Sequence, residues 1–295
     1  MSAVAAAVLE PVGQARVALQ GVAVEARLQG LLSDVTVTQT YRNLEDTNIE
    51  ATYTFPLPLD AVLLELTLDL NGRQLRGVVQ PKAQAEQRYE AAIDDGDTAV
   101  LLQQIESGTF SMNLGNLLAG KTAVIRFRYA QLHRWQGDRL RFHLPTTIAP
   151  RYGDPLAAGY APHQVPEHAL TADHGFTLKL EVAGQLAQAD FECPSHPVAV
   201  SHVGGSRVLT LAGGSRLMDR DFVLVLRAPA TWNGEGTFAA DGDGYVALVS
   251  FHLPVPDRRD HAARCLKLVV DCSGSMAGDS IAQARAALHE ILGHL

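Results

Sequence analysis

Apolar and polar positions alternate through much of the first half of the chain. Val22, Val24, Ala26 and Leu28 alternate with Ala23, Glu25 and Arg27, and Val35-Thr36-Val37-Thr38 is β-branched throughout. Leu64, Leu66, Leu68 and Leu70 alternate with Glu65, Thr67 and Asp69. Ala123, Ile125, Phe127 and Tyr129 share one side, with Arg126 and Arg128 on the other. A period of two puts one set of side chains into a core and the other into water, so these segments are expected as half-buried strands. Asn71-Gly72 follows Leu70 directly, and the pair tolerates the positive φ of a tight hairpin turn. One helix interrupts the strands. Pro81 suits a first helical position, and Ala85, Tyr89, Ala92 and Ile93 then recur on one face before Asp94-Asp95-Gly96-Asp97 stops it.

Residues 150–175 are rich in Pro, Gly and His without periodicity and predict a long loop. Strands are expected again at Thr177–Val182, Arg207–Leu211, Asp221–Arg227 and Tyr245–His252. Many short strands with polar turns argue for a β-sandwich. The last thirty residues differ in kind. Cys265–Val270 is a nearly continuous apolar run, the pattern of a strand buried on both faces. After Asp271–Met276 come Ile281, Ala284, Leu288, Ile291 and Leu292 on one face of a helix. This is the expected opening strand, loop and helix of a doubly wound α/β domain. One strand and one helix do not cover each other's apolar faces, so a truncated or excerpted domain is expected.

The fold class is therefore mainly β. An antiparallel sandwich with one helix spans 1–140, a linker and further β segment spans 141–240, and an incomplete α/β domain spans 241–295. At 295 residues with 47% hydrophobic positions, the chain has material for a real core. The net charge of −8 is a poor match for nucleic acid, which needs clustered positive charge. No run of 18 apolar residues is present, so no transmembrane segment is expected. The first residues lack a basic stretch and meet Glu10 early, so no secretory leader is expected and the chain is assigned to the cytoplasm. Cys193, Cys265 and Cys272 are too few and scattered for a disulfide framework or a zinc cluster.

Asp271, Ser273 and Ser275 are the sharpest candidate site. They stand where a buried strand hands over to its helix, the place at which open α/β sheets bind ligands. A carboxylate and two hydroxyls are hard oxygen donors, suited to Mg2+ or Mn2+. The plain alternative is a helix cap, since Ser and Asp are favoured there. The loop lacks the G-x-S-x-G of a hydrolase elbow, and Cys272 has no basic neighbour in sequence to activate it. Asp241-Gly242-Asp243-Gly244 begins like a calcium loop but lacks the later ligands, and is read as a turn. The linker histidines His163, His168 and His174 are read as solvated, and Arg126 and Arg128 as the wet face of a strand. No nucleophile–base pair is identifiable, so the chain is read as a non-enzyme.

The stretches AQAEQRYEAAIDDGDTAVLL and GTFSMNLGNLLAGKTAVIRFRYAQL resemble the core of the VIT domain, the vault protein and inter-alpha-trypsin inhibitor domain. Tyr89, Ala92, Gly96, Ala99, Leu102, Phe110, Gly115-Asn116-Leu117, Gly120 and Tyr129 carry the resemblance; Ala119 stands where that family often has proline. The ending LKLVVDCSGSMAGDSIAQARAAL resembles the opening of a von Willebrand factor type A domain. The resemblance implies that Asp271, Ser273 and Ser275 begin a metal-ion-dependent adhesion site, completed in the family by a threonine and an aspartate from later loops. It implies a protein partner presenting an acidic side chain to the metal. The alternative is an assembly module acting through the sandwich, by self-association.

Overall fold

The computed structural model describes residues 5–6, 9–11, 17–70, 72–97, 99–106, 108–148, 175–228, 234–251, 267–270, 272–274 and 277–293. It divides into two compact units, Met1–Pro254 and Val255–Leu295.

The first unit is built on a nine-stranded sheet. Its order is β16 (Val198–Val203), β17 (Ser206–Leu211), β14 (Gly175–Ala183), β3 (Val17–Gln29), β4 (Leu32–Asn43), β10 (Thr122–Leu132), β6 (Ala61–Leu70) and β7 (Arg73–Arg76). The short β18 (Arg216–Leu217) pairs with the start of β14. Two four-stranded sheets contribute to the same core. One runs β2 (Leu9–Pro11), β5 (Ile49–Pro56), β9 (Thr109–Leu117), β8 (Val100–Glu106); the other runs β11 (Trp135–Gln136), β12 (Arg139–Leu144), β19 (Phe222–Arg227), β15 (Asp190–Glu192). A two-residue pair, β1 (Ala5–Ala6) with β13 (Thr147–Ile148), and a hairpin, β20 (Gly234–Asp241) with β21 (Gly244–Phe251), complete the strands.

The alternation in the sequence is the alternation of burial. Val22, Val24, Ala26 and Leu28 on β3, Val35 and Val37 on β4, and Ala123, Ile125, Phe127 and Tyr129 on β10 all face the core. The opposite face of the large sheet is wet and its charges are compensated. Arg128 donates to Asp34 at 2.9 and 3.0 Å from Nε, and Arg27 pairs with Glu181 at 3.0 Å. Arg126 and Arg128 are thus the solvated face of a strand.

Two features depart from the plain pattern. β10 pairs Arg128 with Glu65 but Tyr129 with Leu63, so Leu64 is an extra residue in a β-bulge. It leaves the inward series and stands 50% exposed, because a bulge re-aims the side chain it inserts. Second, β14 pairs with β3 in parallel, Phe176 beside Val22 through Ala183 beside Gln29. Strands expected from the segment after 140 therefore extend the sheet of the segment before it.

β6 and β7 pair as the expected hairpin, Leu70 opposite Arg73, with Gly72 at φ 86° and its N–H donated to Asp69 Oδ1 at 2.8 Å, while Asn71 lies outside the described residues. Asp241–Gly244 is likewise a hairpin turn, Asp241 pairing with Gly244. The helix α1 (Lys82–Asp94) begins one residue later than expected, with Pro81 as its cap. It ends as its sequence demands. Gly96 at φ 80° donates to Ile93 O, and Asp97 N donates to Ala92 O at 2.9 Å, the paired closure of a left-handed glycine cap. The expected linker of 150–175 lies almost wholly outside the described residues.

In the second unit the helix α2 (Asp279–Gly293) forms where the apolar stripe predicts it. Lys267–Val270 carry no strand pairing, and Val269 is 97% exposed. The apolar run was expected as a strand buried on both faces. A strand needs a neighbour to pair with, and among the described residues none lies beside it.

Candidate functional site

The loop ahead of α2 is built by turns. Ala277 N donates to Gly274 O at 3.2 Å, and Gly278 takes φ 83°, a conformation that favours glycine, just before the helix. Ser273 lies in the bend that opens this loop and is exposed, as is Cys272. Asp271 and Ser275 lie outside the described residues, so their approach to Ser273 is not part of this geometry. Among the described residues no cluster of three His, Cys, Asp or Glu side chains has metal-holding geometry. The donor chemistry of Asp271, Ser273 and Ser275 fits a hard divalent ion: one carboxylate, two hydroxyls and no sulfur or imidazole.

The second region of interest is where α1 lies on β9. Pairing of β5 with β9 sets Ala51 against Leu114 but Ile49 against Leu117, so Gly115 and Asn116 together face one residue of the partner strand. Asn116 takes φ 55°, a left-handed conformation tolerated by asparagine. Its side chain donates to Asp97 O at 3.0 Å, which ties the bulge to the residue closing α1. A Cβ at Gly115 would stand 2.1 Å from Ile93 Cδ1 and 3.1 Å from Tyr89 Oη. The glycine therefore lets the helix approach the strand. Burial, with Glu50 nearby, pushes the Tyr89 hydroxyl up to about 12, so it stays protonated. The motif Gly115-Asn116-Leu117 is thus a bulge with a helix seated on it. Gly115→Val is expected to cost about 1–3 kcal/mol by overpacking. It should also raise amide exchange across Lys82–Asp94 selectively, readable by hydrogen exchange and mass spectrometry.

Three histidine arrangements, two of them buried, were not read from the sequence. His133 Nδ1 lies 3.1 Å from Arg141 O and Nε2 lies 2.8 Å from Ser33 Oγ; His133 and Ser33 are both buried. His196 Nδ1 lies 2.9 Å from Ser195 Oγ, and its ring packs near Phe176 and Phe222. Ser195 Oγ in turn accepts from Val223 N at 2.8 Å, so this serine ties a loop to β19. His143 Nε2 lies 2.9 Å from Asp221 Oδ2, whose other oxygen accepts from Thr146 N at 3.0 Å. Burial lowers the pKa of His133 to about 4 and lowers that of His196 as well, where Arg220 adds to the effect. These histidines brace strands and loops. For Ser33 the sequence signal is a polar residue at the inward parity of β4, and His133 falls on the inward parity of β10 extended one residue past its end; His143 lies at an outward parity of β12 and His196 in a bend, so neither carries that signal. His163, His168 and His174 lie outside the described residues.

Residues 19–129 match the family model of the vault protein inter-alpha-trypsin domain. The human von Willebrand factor A domain-containing protein 5A is 32% identical over 46% of this chain, and the match covers 18% of that protein. The mouse protein mono-ADP-ribosyltransferase PARP4 is 25% identical over 91% of this chain and 14% of its own length. The rat inter-alpha-trypsin inhibitor heavy chain H3 is 25% identical over 87% of this chain and 28% of its own. The chain thus spans under a third of the length of each of these relatives. The helix-on-bulge built by Tyr89, Ile93, Gly115 and Asn116 falls inside residues 19–129, the segment that matches the VIT family model.

Proposed function

We propose that the chain is a non-enzymatic, adhesion-type protein-binding module. In its complete form, Asp271, Ser273 and Ser275 would hold a magnesium or manganese ion facing an acidic side chain of a protein partner. The observation that carries the reading is the donor set in its place. A carboxylate and two hydroxyls stand at alternate positions just ahead of α2, with Ser273 exposed to solvent.

The ion supplies an open coordination position for a carboxylate oxygen. The chain's own part is electrostatic and positional. One carboxylate among the three side chains leaves a divalent ion with uncompensated positive charge, which selects an anionic partner group. The turn through Gly274 and Gly278 stands just ahead of the helix, and Ser273 within it is exposed to solvent-borne ions. The names of relatives that carry von Willebrand factor A domains and of the inter-alpha-trypsin inhibitor heavy chain support a protein-interaction role.

The test uses a protein in which this loop stands within a complete type A domain. Partner binding is expected to fall at least about tenfold on adding a chelator, to return with magnesium, and to fall equally in Asp271→Ala. Binding that survives both treatments would overturn the metal reading. It would instead favour the second reading, assembly through the sandwich.

A further inference from the structure

The large sheet ends on two edge strands of opposite character. β7 is four residues long and has an arginine at each end. Short length and charge are the usual protection of a sheet edge against pairing with another chain. β16, Val198-Ala199-Val200-Ser201-His202-Val203, has neither. It holds no Asp, Glu, Lys, Arg or Pro, and its register with β17 is unbroken from Val198–Leu211 to Val203–Ser206. Five of its six residues are exposed, and among the described residues nothing pairs with its outer side.

Which backbone groups point outward follows from the turn. Gly204 and Gly205 take φ 55° and 84° in a two-residue loop, so Val203 and Ser206 exchange both hydrogen bonds. Ala212 N donating to Pro197 O at 3.0 Å follows the same parity. Ser201 and Ala199 are therefore bonded to β17. The N–H and C=O groups of Val198, Val200 and His202 face outward. Their side chains lie on the same side as buried Leu209 and Leu211. There an open groove of about 500 Å³ runs between β16 and β15, lined by Asp190, Phe191, Val200, His202 and Arg207. The Arg207 guanidinium is already engaged, donating to Ala189 O and lying over the Phe191 ring at 5.4 Å.

We infer that β16 pairs antiparallel with β16 of a second copy of this chain, on a two-fold axis passing through Val200. In that register Val200 faces its own counterpart and Val198 faces the counterpart of His202. All three outward residues are then bonded, two hydrogen bonds to each pair and six in all. A register shifted by two residues bonds only two such pairs. An uncharged strand meets no like-charge repulsion on its own axis, and the apolar Val200 side chains meet beside Phe191. This is why a second copy fits the edge. Symmetric self-pairing of this kind is the commonest closed assembly. The inference is independent of the metal reading, since none of its residues belongs to that site.

The test is sedimentation velocity on the full chain between about 1 μM and 1 mM, a range that brackets a small interface. A concentration-dependent dimer is expected. Val200→Lys, at a position already 41% exposed, should weaken it about tenfold or more by placing two ammonium groups on the axis. Val200→Cys should form a linked dimer on oxidation, with the 200–200 peptide identified by mass spectrometry, because bonded pairs bring Cα atoms to about 5.5 Å. A monomer across the range would overturn the inference. So would a dimer indifferent to Val200→Lys, or a folded Val200→Cys variant that gives no 200–200 link.

Discussion

Phe127→Ala is expected to remove about 3–5 kcal/mol of stability, the usual cost of emptying an aromatic site in a packed core. Phe127 sits on β10, near the middle of the large sheet, and is 3% exposed. Its ring stacks on Phe55 of β5 with centroids 4.5 Å apart, and Phe55 stacks in turn on Phe110 of β9 at 5.7 Å. The Phe55–Phe127 contact therefore ties one sheet to the other across the core. A domain is stable by roughly 5–15 kcal/mol, so this single truncation takes a large share. Urea unfolding followed by circular dichroism measures it. Arg126→Ala, one residue away on the wet face, should change stability by no more than about 0.5 kcal/mol. Phe55→Ala should cost a similar amount to Phe127→Ala. The double variant should lose less than the sum, because the two rings share one contact. Equal losses at Phe127 and Arg126 would show that the two faces of β10 are wrongly assigned.

Legibility followed how local each determinant is. Alternation on β3 and β10 needs only neighbouring residues, and it named their core faces correctly. The end of α1 was equally local, since Asp94-Asp95-Gly96-Asp97 contains its own glycine closure. Leu64 misled because a bulge is decided by the partner strand: nothing within Leu64–Leu70 says that Tyr129 will pair with Leu63. Parallel pairing of β14 with β3 joins residues about 154 positions apart, as in Arg27 with Glu181, and one sequence carries no local sign of it. Lys267–Val270 had the composition of a buried strand but no strand beside it among the described residues. At the candidate site the type and spacing of Asp271, Ser273 and Ser275 were legible. Their convergence depends on the fold around them, and Ser273 is the member the structure describes. The buried histidines were invisible because His133 stands just past the end of β10 and His196 in a bend, where no alternation within a strand assigns a residue to the core.

The buried His133 carries the second large effect, an acid sensitivity. Its Nδ1–H donates to the Arg141 carbonyl and its Nε2 accepts from the Ser33 hydroxyl, so the neutral ring satisfies both partners. Protonation would place a charge where solvent is excluded. Burial accordingly lowers its pKa to about 4 from 6.5. A histidine whose folded value is depressed contributes stability that is fully present above the unfolded value. That contribution is lost as pH falls from about 6.5 to about 4, because only the unfolded chain takes up the proton in that window. The full shift corresponds to roughly 3 kcal/mol, of which about 2 kcal/mol is lost by pH 5. His196, lowered in the same direction by burial first and Arg220 second, adds to the loss. Unfolding midpoints in urea at pH 7.5 and pH 5.0 should therefore fall sharply for the unaltered chain. His133→Asn, which does not titrate, should begin less stable at pH 7.5 and lose markedly less on acidification. A variant that lost as much between the two pH values as the unaltered chain would show that the His133 ring is already charged, or solvated, in the folded state.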